Sequence, residues 1–274
     1  MANLFSIDDK IKNVLECKIE EILPYSIISS INAIIDKNDK IASITSMLLR
    51  FHSHLINKIV VIENYKPIGT ISDLDILRGL NKNPRFEFFN NSTVEDIIDK
   101  DTIIVRSNTK ISSLLKELQD KNSEFAIIEN DKTGFSVISI NKLLQIGLLL
   151  DSSIKISNIS PKKYPSFKTT DSINEIILRM LDNNTSIAIL ENSSLFITSQ
   201  MILEKIQNEL KYLQGIDDFM NLKMNDFKLK QFTVVSNNKT ISDMCKIMLN
   251  IKQPYVMTET HILTPQDVIM GLCY

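Results

Sequence analysis

The strongest constraint on the fold is a pattern that occurs four times along the 274 residues of the chain. In each copy, a strand-like apolar residue lies six positions before an apolar residue that opens an amphipathic helix. The four pairs are Ile35 and Ile41, Val105 and Ile111, Phe167 and Ile173, and Val235 and Ile241. Because an internal repeat determines the architecture of the whole chain, the fold must consist of four similar units.

Each unit predicts the same order of secondary structure. The helical segments, such as ISSLLKELQDK and INEIILRMLDNN, have apolar residues three and four positions apart, as a half-buried helix requires. Two short apolar runs follow, such as KIVVIE and PIGTIS, and these indicate a pair of strands. A second helical pattern, such as DLDILRGL, closes the unit. The sequence therefore predicts an α/β protein made of four β-α-β-β-α repeats.

A short phrase of the form apolar, any residue, acidic or Asn, apolar precedes each unit, at residues 19–22, 94–97, 156–159 and 224–227. We interpret each phrase as the start of the repeat that follows it. A single unit of this size has a small core and is marginally stable, so we expect the units to pair. The predicted modules are residues 1–150, with repeats at about 19–80 and 94–150, and residues 151–274, with repeats at about 156–212 and 224–274.

Composition and spacing exclude several classes of function. The net charge is -2 and no long block of like charges occurs, which argues against nucleic acid as a partner. The three cysteines are odd in number and contain no CxxC pair, so a reducing cytoplasm is the expected location and a zinc site is not expected. The six glycines lie too far apart for a dinucleotide fingerprint or a phosphate loop. The longest apolar stretch, residues 143–150, is too short to span a membrane.

The three histidines do not predict a metal or catalytic site. His52 and His54 are two positions apart on a predicted helix and do not face each other. His261 lies in a predicted strand turn, without a serine or cysteine nucleophile positioned beside it in the sequence pattern. We therefore expect neither a bound metal nor catalytic activity.

The phrase GTISDLD in the first repeat joins the last strand to the last helix and contains Gly69, Ser72 and Asp75. Together with the β-α-β-β-α order, this Gly-x-x-[Ser/Thr]-x-x-Asp phrase resembles the cystathionine-β-synthase (CBS) domain family. The resemblance extends from about residue 19 to 274. Repeat 4 has Thr264 and Asp267 at the matching positions, although His261 replaces the glycine. Chains with four such repeats resemble the gamma subunit of AMP-activated kinase.

The resemblance implies a non-catalytic regulatory protein that needs no cofactor. Paired CBS repeats bind adenosine-containing ligands such as AMP, ADP, ATP or S-adenosylmethionine, and the ligand-bound module signals to a protein partner; a homodimer is one assembly that the family allows. In the family, the acid accepts hydrogen bonds from the ribose, the hydroxyl contacts ribose or phosphate, and the first strand contacts adenine. The residues implied here are Ile35, Gly69, Ser72 and Asp75 in repeat 1, and Val235, Tyr255, Thr264 and Asp267 in repeat 4.

The same Ser-x-x-Asp phrase is also a helix capping box, and the repeats help to separate the two interpretations. The hydroxyl position is filled in all four repeats, by Ser72, Ser139, Thr198 and Thr264, whereas the position three residues later is Asp75, Lys142, Met201 and Asp267. We therefore expect the hydroxyl to be a shared helix cap and the carboxylate to be the ligand-binding group. The alternative is a ligand-free scaffold or protein-interaction module that keeps the CBS architecture.

Two further features of the sequence leave more than one interpretation open. Arg50, Lys58, Arg78 and Lys142 could each meet a phosphate, although charged residues like these are more often solvated. Residues 202–220 extend the second helix of repeat 3 and either bridge two repeats or dock a partner. The first 18 residues precede repeat 1 and pack either on the repeats or on a partner.

Overall fold

The computed structural model describes residues 13–22, 34–51, 58–130, 134–150, 152–160, 162–213, 224, 227–251, 254–259 and 261–273. Contacts between backbones divide the chain into two compact units. Unit A comprises Met1–Asn32, Thr102–Lys162 and Thr233–Tyr274, and unit B comprises Ala33–Asp101 and Lys163–Phe232. Unit A therefore contains repeats 2 and 4, and unit B contains repeats 1 and 3. These boundaries do not coincide with the expected split near residue 151, and the pairing of consecutive repeats into modules stays a prediction.

Repeat 1 has the predicted order of elements. It contains β1 (Ile34–Asp36), α1 (Ile41–Phe51), β2 (Lys58–Glu63), β3 (Lys66–Ser72) and α2 (Asp73–Lys82), and the short helix α3 (Glu87–Asn91) follows. In the sheet β2 lies in the middle, parallel to β1 and antiparallel to β3. Asn64 and Tyr65 both have positive φ at the β2–β3 connection, as a tight two-residue hairpin turn requires.

Repeat 2 repeats this arrangement without change in the order of strands. It contains β4 (Ile103–Arg106), α4 (Ile111–Asp120), β5 (Phe125–Asn130), β6 (Gly134–Ser139) and α5 (Ile140–Leu149). The middle strand β5 is parallel to β4 and antiparallel to β6. Apolar residues every three or four positions make one face of α4 buried, at Ile111, Leu114, Leu115 and Leu118.

Repeats 3 and 4 complete the series. Repeat 3 contains β7 (Ser166–Phe167), α6 (Ile173–Asp182), β8 (Ile187–Leu190), β9 (Leu195–Thr198), α7 (Ser199–Leu213) and the added edge strand β10 (Lys230–Gln231). Repeat 4 contains β11 (Thr233–Val234), α8 (Ile241–Asn250), β12 (Val256–Met257), β13 (Ile262–Leu263) and α9 (Pro265–Met270). The predicted β-α-β-β-α order is thus confirmed in all four repeats.

Three of the phrases that precede the repeats are hydrogen-bonded to a repeat other than the one that follows them, which corrects our interpretation of these phrases as the start of the following repeat. Ile19, which precedes repeat 1, donates its N–H to Thr109 O of repeat 2 over 2.9 Å. Val94, which precedes repeat 2, donates to Asp39 O of repeat 1 over 3.0 Å. Ile156, which precedes repeat 3, donates to the backbone of repeat 4. Ile19, Val94 and Ile156 are buried, so the apolar pattern was right and its assignment to the following repeat was wrong.

Helices of two repeats pack together within each unit. In unit A, α5 packs against α8 and α9, and apolar residues of repeats 2 and 4 form one core. A Cβ atom at Gly147 would collide with the sulfur of Cys245, so this glycine lets α5 approach α8 closely. The described N-terminal residues Val14 and Leu15 pack on the same core.

In unit B, α2 packs against α6 and α7, and α1 packs against α7. Gln207 of α7 donates a hydrogen bond from Nε2 to Ser46 Oγ of α1. The described part of the 202–220 segment therefore bridges repeats 3 and 1, which is one of the two roles that the sequence left open. Residues 214–220 lie outside the described residues.

Candidate nucleoside site

The residues predicted for repeat 1 begin with one row across its sheet. Ile35 pairs with Val61 in the parallel register, and Val61 pairs with Gly69 in the antiparallel register. A Cβ atom at Gly69 would collide with the carbonyl oxygen of Asp99. Thr70 and Asp99 exchange two backbone hydrogen bonds of 2.9 Å, which hold the two segments at this distance. Gly69 therefore has a structural reason to be glycine, independent of any ligand.

Ser72 and Asp75 form a capping box at the start of α2. The N–H of Asp75 donates to Ser72 Oγ over 3.3 Å, and in return the N–H of Ser72 donates to Asp75 Oδ2 over 2.8 Å. The Ser72 hydroxyl also donates to Asp75 Oδ2, over 2.6 Å. Both residues are buried, and Asp75 is 4% exposed. These contacts leave Oδ2 fully engaged inside the protein.

Arg78 forms an ion pair with the other carboxylate oxygen of Asp75. Its Nη1 lies 2.5 Å from Asp75 Oδ1, and its side chain is 45% exposed, whereas the side chain of Asp75 is 5% exposed. A buried carboxylate is costly unless it is paired and hydrogen-bonded, and here the capping box and Arg78 together meet that requirement. Arg78 therefore covers the more accessible oxygen of a buried acid.

Of the four residues considered as phosphate partners, the structure brings only Arg78 to Asp75. Lys58 lies directly across the sheet from Ser72, but its Nζ is 3.2 Å from Asp99 Oδ2. Arg50 is exposed at the end of α1. A phosphate contact for either residue stays a prediction.

Repeat 4 has the same capping box without the arginine. The N–H and the hydroxyl of Thr264 each donate to Asp267 Oδ2 over 2.8 Å, and the N–H of Asp267 donates to Thr264 Oγ1 over 3.4 Å. The position that matches Arg78 is Met270, which is buried. Tyr255 lies before β12 and is partly buried.

Val235, the first-strand residue predicted for this site, lies just beyond β11 rather than within it. It is buried, and its N–H donates to Met257 O over 2.9 Å, so it continues the sheet by one hydrogen bond. His261 forms the β12–β13 turn, where its carbonyl oxygen accepts from the N–H of Thr258 over 2.8 Å. The histidine therefore fits a strand turn, as the sequence predicted.

The hydroxyl cap is present in all four repeats. Besides Ser72 and Thr264, Ser139 Oγ accepts from the N–H of Lys142 over 3.4 Å, and Thr198 Oγ1 accepts from the N–H of Met201 over 3.2 Å. The prediction that the hydroxyl is a shared structural cap is therefore confirmed. Two of these caps work without a carboxylate three residues later, so the acid is not needed to begin the helix.

Comparison with solved structures places this arrangement in a known fold. No family model and no curated protein sequence matches the chain. Protein MJ1225 from Methanocaldococcus jannaschii, proposed as an archaeal homologue of g-AMPK, superposes with a TM-score of 0.72 at 16% identity, over 86% of this chain and 94% of that chain. The chain has the fold of a four-repeat CBS protein. A conserved protein of unknown function from Pyrococcus horikoshii has a TM-score of 0.53 at 9% identity, over 79% of this chain and 91% of that chain.

Lys142 occupies, in the second CBS repeat, the position of Asp75 in the first. It is buried in the first turn of α5, and desolvation lowers the pKa of its ammonium group. A cation at this position cannot accept hydrogen bonds from a ribose. The expected contact of Lys142 with a phosphate is not tested by these observations and stays a prediction.

Two kinds of feature are absent from the part of this CBS-fold chain that the structure describes. There, no group of three or more metal-ligating side chains comes together, and no helix is long and apolar enough to cross a membrane. His52 and His54 lie outside the described residues. Cys17 and Cys245 are free thiols.

Sequence reasoning treated Arg78 only as a phosphate partner and missed its pairing with Asp75. The signal was present, because residues three apart on a helix are neighbours and an acid before a base is a favourable pair. It also missed Asp73, which is buried and accepts a hydrogen bond from Ser199 across 126 residues of sequence. No local pattern could have predicted this contact between CBS repeats 1 and 3.

Proposed function

We propose that this chain is a non-catalytic regulatory protein that binds an adenosine-containing ligand at Asp75 and signals its presence to a protein partner. The supporting observation is the state of Asp75. It is a buried acid with one oxygen fixed by Ser72 and the other facing a half-exposed arginine. The resemblance to the CBS family implies that this position binds ribose. The likeness to an archaeal protein proposed as a homologue of g-AMPK supports a regulatory role.

The chemistry of a carboxylate suits a ribose. An ionised carboxylate only accepts hydrogen bonds, and a ribose diol donates two. The positive end of the helix dipole at the start of α2 also favours a phosphate nearby. Repeats 2 and 3 have Lys142 and Met201 at this position, and neither side chain can replace the acceptor. The proposed second site is in repeat 4, at Thr264 and Asp267 with Val235 and Tyr255.

Signalling would follow from a shift between conformations. A ligand that binds one arrangement of the repeats more tightly favours that arrangement by the difference in its affinities. The start of α2 contains the proposed ribose acceptor and also Asp73, which is hydrogen-bonded to Ser199 at the start of α7. A ligand at Asp75 would therefore act on a helix that contacts repeat 3. The protein would need no cofactor and would work in the cytoplasm, alone or as a homodimer.

The alternative function is a ligand-free scaffold. It is favoured by the capping boxes, because these account for both Asp75 and Asp267 without a ligand. Similar capping boxes occur at Ser172 with Glu175 and at Thr240 with Asp243, outside the proposed sites. A carboxylate at the third helical position is therefore common in this chain, and only binding measurements separate the two functions.

Thermal shift with AMP, ADP, ATP, S-adenosylmethionine and adenosine tests the proposal. A ligand at 100 times its Kd stabilises the folded state by about 2.7 kcal/mol, which raises the melting temperature measurably. We expect at least one of the five to raise it, and Asp75→Asn and Asp267→Asn each to reduce the shift. Asp243→Asn removes a capping-box charge outside the sites and should keep the full shift. No shift with any compound at millimolar concentration would favour the scaffold.

A further inference from the structure

We propose that Arg78 makes the repeat 1 site selective for anionic adenosine nucleotides over adenosine and S-adenosylmethionine. In the free protein its guanidinium covers the oxygen of Asp75 that a ribose would use, and on binding it turns to the phosphate of the ligand. This inference rests on the proposed function, since it requires Asp75 to bind the ribose. It goes further by naming the class of adenosine ligand and the residue that selects it.

The two carboxylate oxygens of Asp75 differ in how easily a ligand can reach them. Oδ2 accepts two hydrogen bonds from Ser72, one from its N–H and one from its hydroxyl, and loss of either would disturb the start of α2. Among the residues that the structure describes, Oδ1 has one partner, the Nη1 of Arg78. A ribose hydroxyl must therefore bind Oδ1. To do so, it must either displace the Arg78 guanidinium from this oxygen or share the oxygen with it.

The exposure of Arg78 lets its guanidinium move away from Asp75. The Arg78 side chain is 45% exposed, so its guanidinium can leave Asp75 for solvent or for a ligand without crossing the protein interior. Asp75 is buried, so its Oδ1 needs a hydrogen-bond donor whenever the arginine leaves. The pair therefore closes the site in the free protein, and a ribose hydroxyl that replaces the guanidinium supplies the donor that Oδ1 needs.

Once it leaves Asp75, the guanidinium of Arg78 can bind the phosphate of a nucleotide. Guanidinium groups bind phosphate through two parallel hydrogen bonds, which are stronger than bonds between neutral groups. The 5′-phosphate of a nucleotide is attached to the same ribose that would contact Asp75, so a long side chain leaving Oδ1 has an anion beside it. Adenosine displaces the arginine without offering this new partner. S-adenosylmethionine carries a sulfonium cation at the 5′ carbon, which repels the guanidinium.

Repeat 4 provides an internal comparison. Its acid, Asp267, has the same capping-box contacts, but Met270 stands where repeat 1 has Arg78. A methionine neither covers a carboxylate nor binds a phosphate. The repeat 4 site should therefore bind AMP and adenosine with similar affinities.

The experiment is isothermal titration calorimetry with AMP, adenosine and S-adenosylmethionine. An Asp267→Asn chain isolates the repeat 1 site, and an Asp75→Asn chain isolates the repeat 4 site. Within the Asp267→Asn chain, Arg78→Gln is compared with Lys82→Gln, which removes an exposed positive charge one turn further along α2. The melting temperature of each variant without ligand shows that it is folded.

We expect AMP to bind the Asp267→Asn chain at least about tenfold more tightly than adenosine, since a charged hydrogen-bond pair is worth a factor of this size. Arg78→Gln should abolish most of this preference, because it should weaken the binding of AMP and strengthen the binding of adenosine. Lys82→Gln should keep the preference. Arg78→Lys should keep a smaller preference, because an ammonium group lacks the planar fork. The Asp75→Asn chain should show no preference.

The outcomes separate this inference from the proposed function. If AMP and adenosine bind but Arg78→Gln leaves their ratio unchanged or weakens adenosine, then Arg78 is not the selective residue and the proposed function survives. Tighter binding of S-adenosylmethionine than of AMP would also overturn the inference alone. If none of the three compounds binds either single-site chain, the proposed function fails and this inference fails with it.

Discussion

Asp73 Oδ2 accepts a hydrogen bond of 2.5 Å from Ser199 Oγ, although 126 residues separate the two along the chain. Asp73 is the first residue of α2 and Ser199 is the first residue of α7, so the contact joins the starts of two helices from different repeats. Both side chains are buried, at 5% and 0% exposed. Within unit B, this polar contact joins repeat 1 to repeat 3 alongside the packing of α2 on α6 and α7.

Ser199→Ala should destabilise the protein, because a buried carboxylate loses a hydrogen-bond donor. Hydrogen bonds to charged groups contribute about 1.5 to 3 kcal/mol, and we expect a loss in this range in urea unfolding. Ser113→Ala, at an exposed position in α4, is the matched control and should have almost no effect. Equal midpoints for the two variants would show that the Asp73 contact is not stabilising.

The hydroxyl caps predict similar losses in repeats that have no carboxylate. Ser139→Ala and Thr198→Ala each remove the acceptor for a free N–H at the start of a helix, at a cost of about 1 kcal/mol. Ser139→Gly should cost less than Ser139→Ala, since glycine is tolerated at this position. Unfolding midpoints measured by circular dichroism would check this, and an alanine variant as stable as the parent would contradict the assignment of a cap.

Gly69→Ala should be strongly destabilising, because the added methyl group would collide with the backbone oxygen of Asp99. Overpacking costs about 1 to 3 kcal/mol when the neighbouring atoms cannot move, and the Thr70–Asp99 hydrogen bonds restrain them here. Gly134→Ala is the comparison, since its φ is +86° but nothing lies within 4 Å of the new Cβ.

Denaturant titration of both glycine variants, each compared with the parent, would measure how much of the lost stability comes from the collision with Asp99. Gly134→Ala has only the cost of its positive φ. A Gly69→Ala variant that loses no more stability than Gly134→Ala would mean that the segment around Asp99 gives way easily.

Cys245 should be unreactive in the folded protein, because burial raises the pKa of its thiol to about 12 from an ordinary 9.0. The thiolate is the reactive form, so a colourimetric thiol reagent at pH 8 should modify Cys17 of a Cys273→Ser chain quickly and Cys245 only on unfolding. Rapid modification of two thiols under native conditions would contradict the burial.

The raised pKa of Cys245 also predicts a change of stability with pH. The folded state favours the neutral thiol, so its contribution to stability is fully present below pH 9 and is lost as the pH rises from 9 towards 12. Cys245→Ala should remove this part of the pH dependence. A parent and variant with parallel stability curves between pH 8 and 10.5 would argue against it.

The architecture of each repeat was predictable because it follows from local patterns. The six-residue spacing from Ile35 to Ile41 and its three counterparts located strand and helix correctly, since the periodicity of apolar residues reflects which face is buried. The exception is Val235, which lies one residue beyond the end of β11 and continues the sheet by a single hydrogen bond.

Long-range relations were not predictable in the same way. The phrase at residues 19–22 has the same pattern whichever repeat it covers, so the sequence could not show that it packs on repeat 2. The resemblance implied Gly69 as a ligand-binding residue, and the sequence could not show that the backbone of Asp99 also lies against this glycine. The partner of Asp73 depends on how two repeats meet, and residue types alone do not encode that contact.

A crystal structure from crystals of the protein grown with AMP tests most directly the central claim that a nucleotide binds Asp75 and displaces Arg78. We predict AMP at repeat 1, with a ribose hydroxyl within hydrogen-bonding distance of Asp75 Oδ1, the Ser72 contacts to Oδ2 kept, and the Arg78 guanidinium moved to the phosphate. A crystal with no AMP at repeat 1, or with AMP at repeat 1 while Arg78 remains paired with Asp75, would contradict the account.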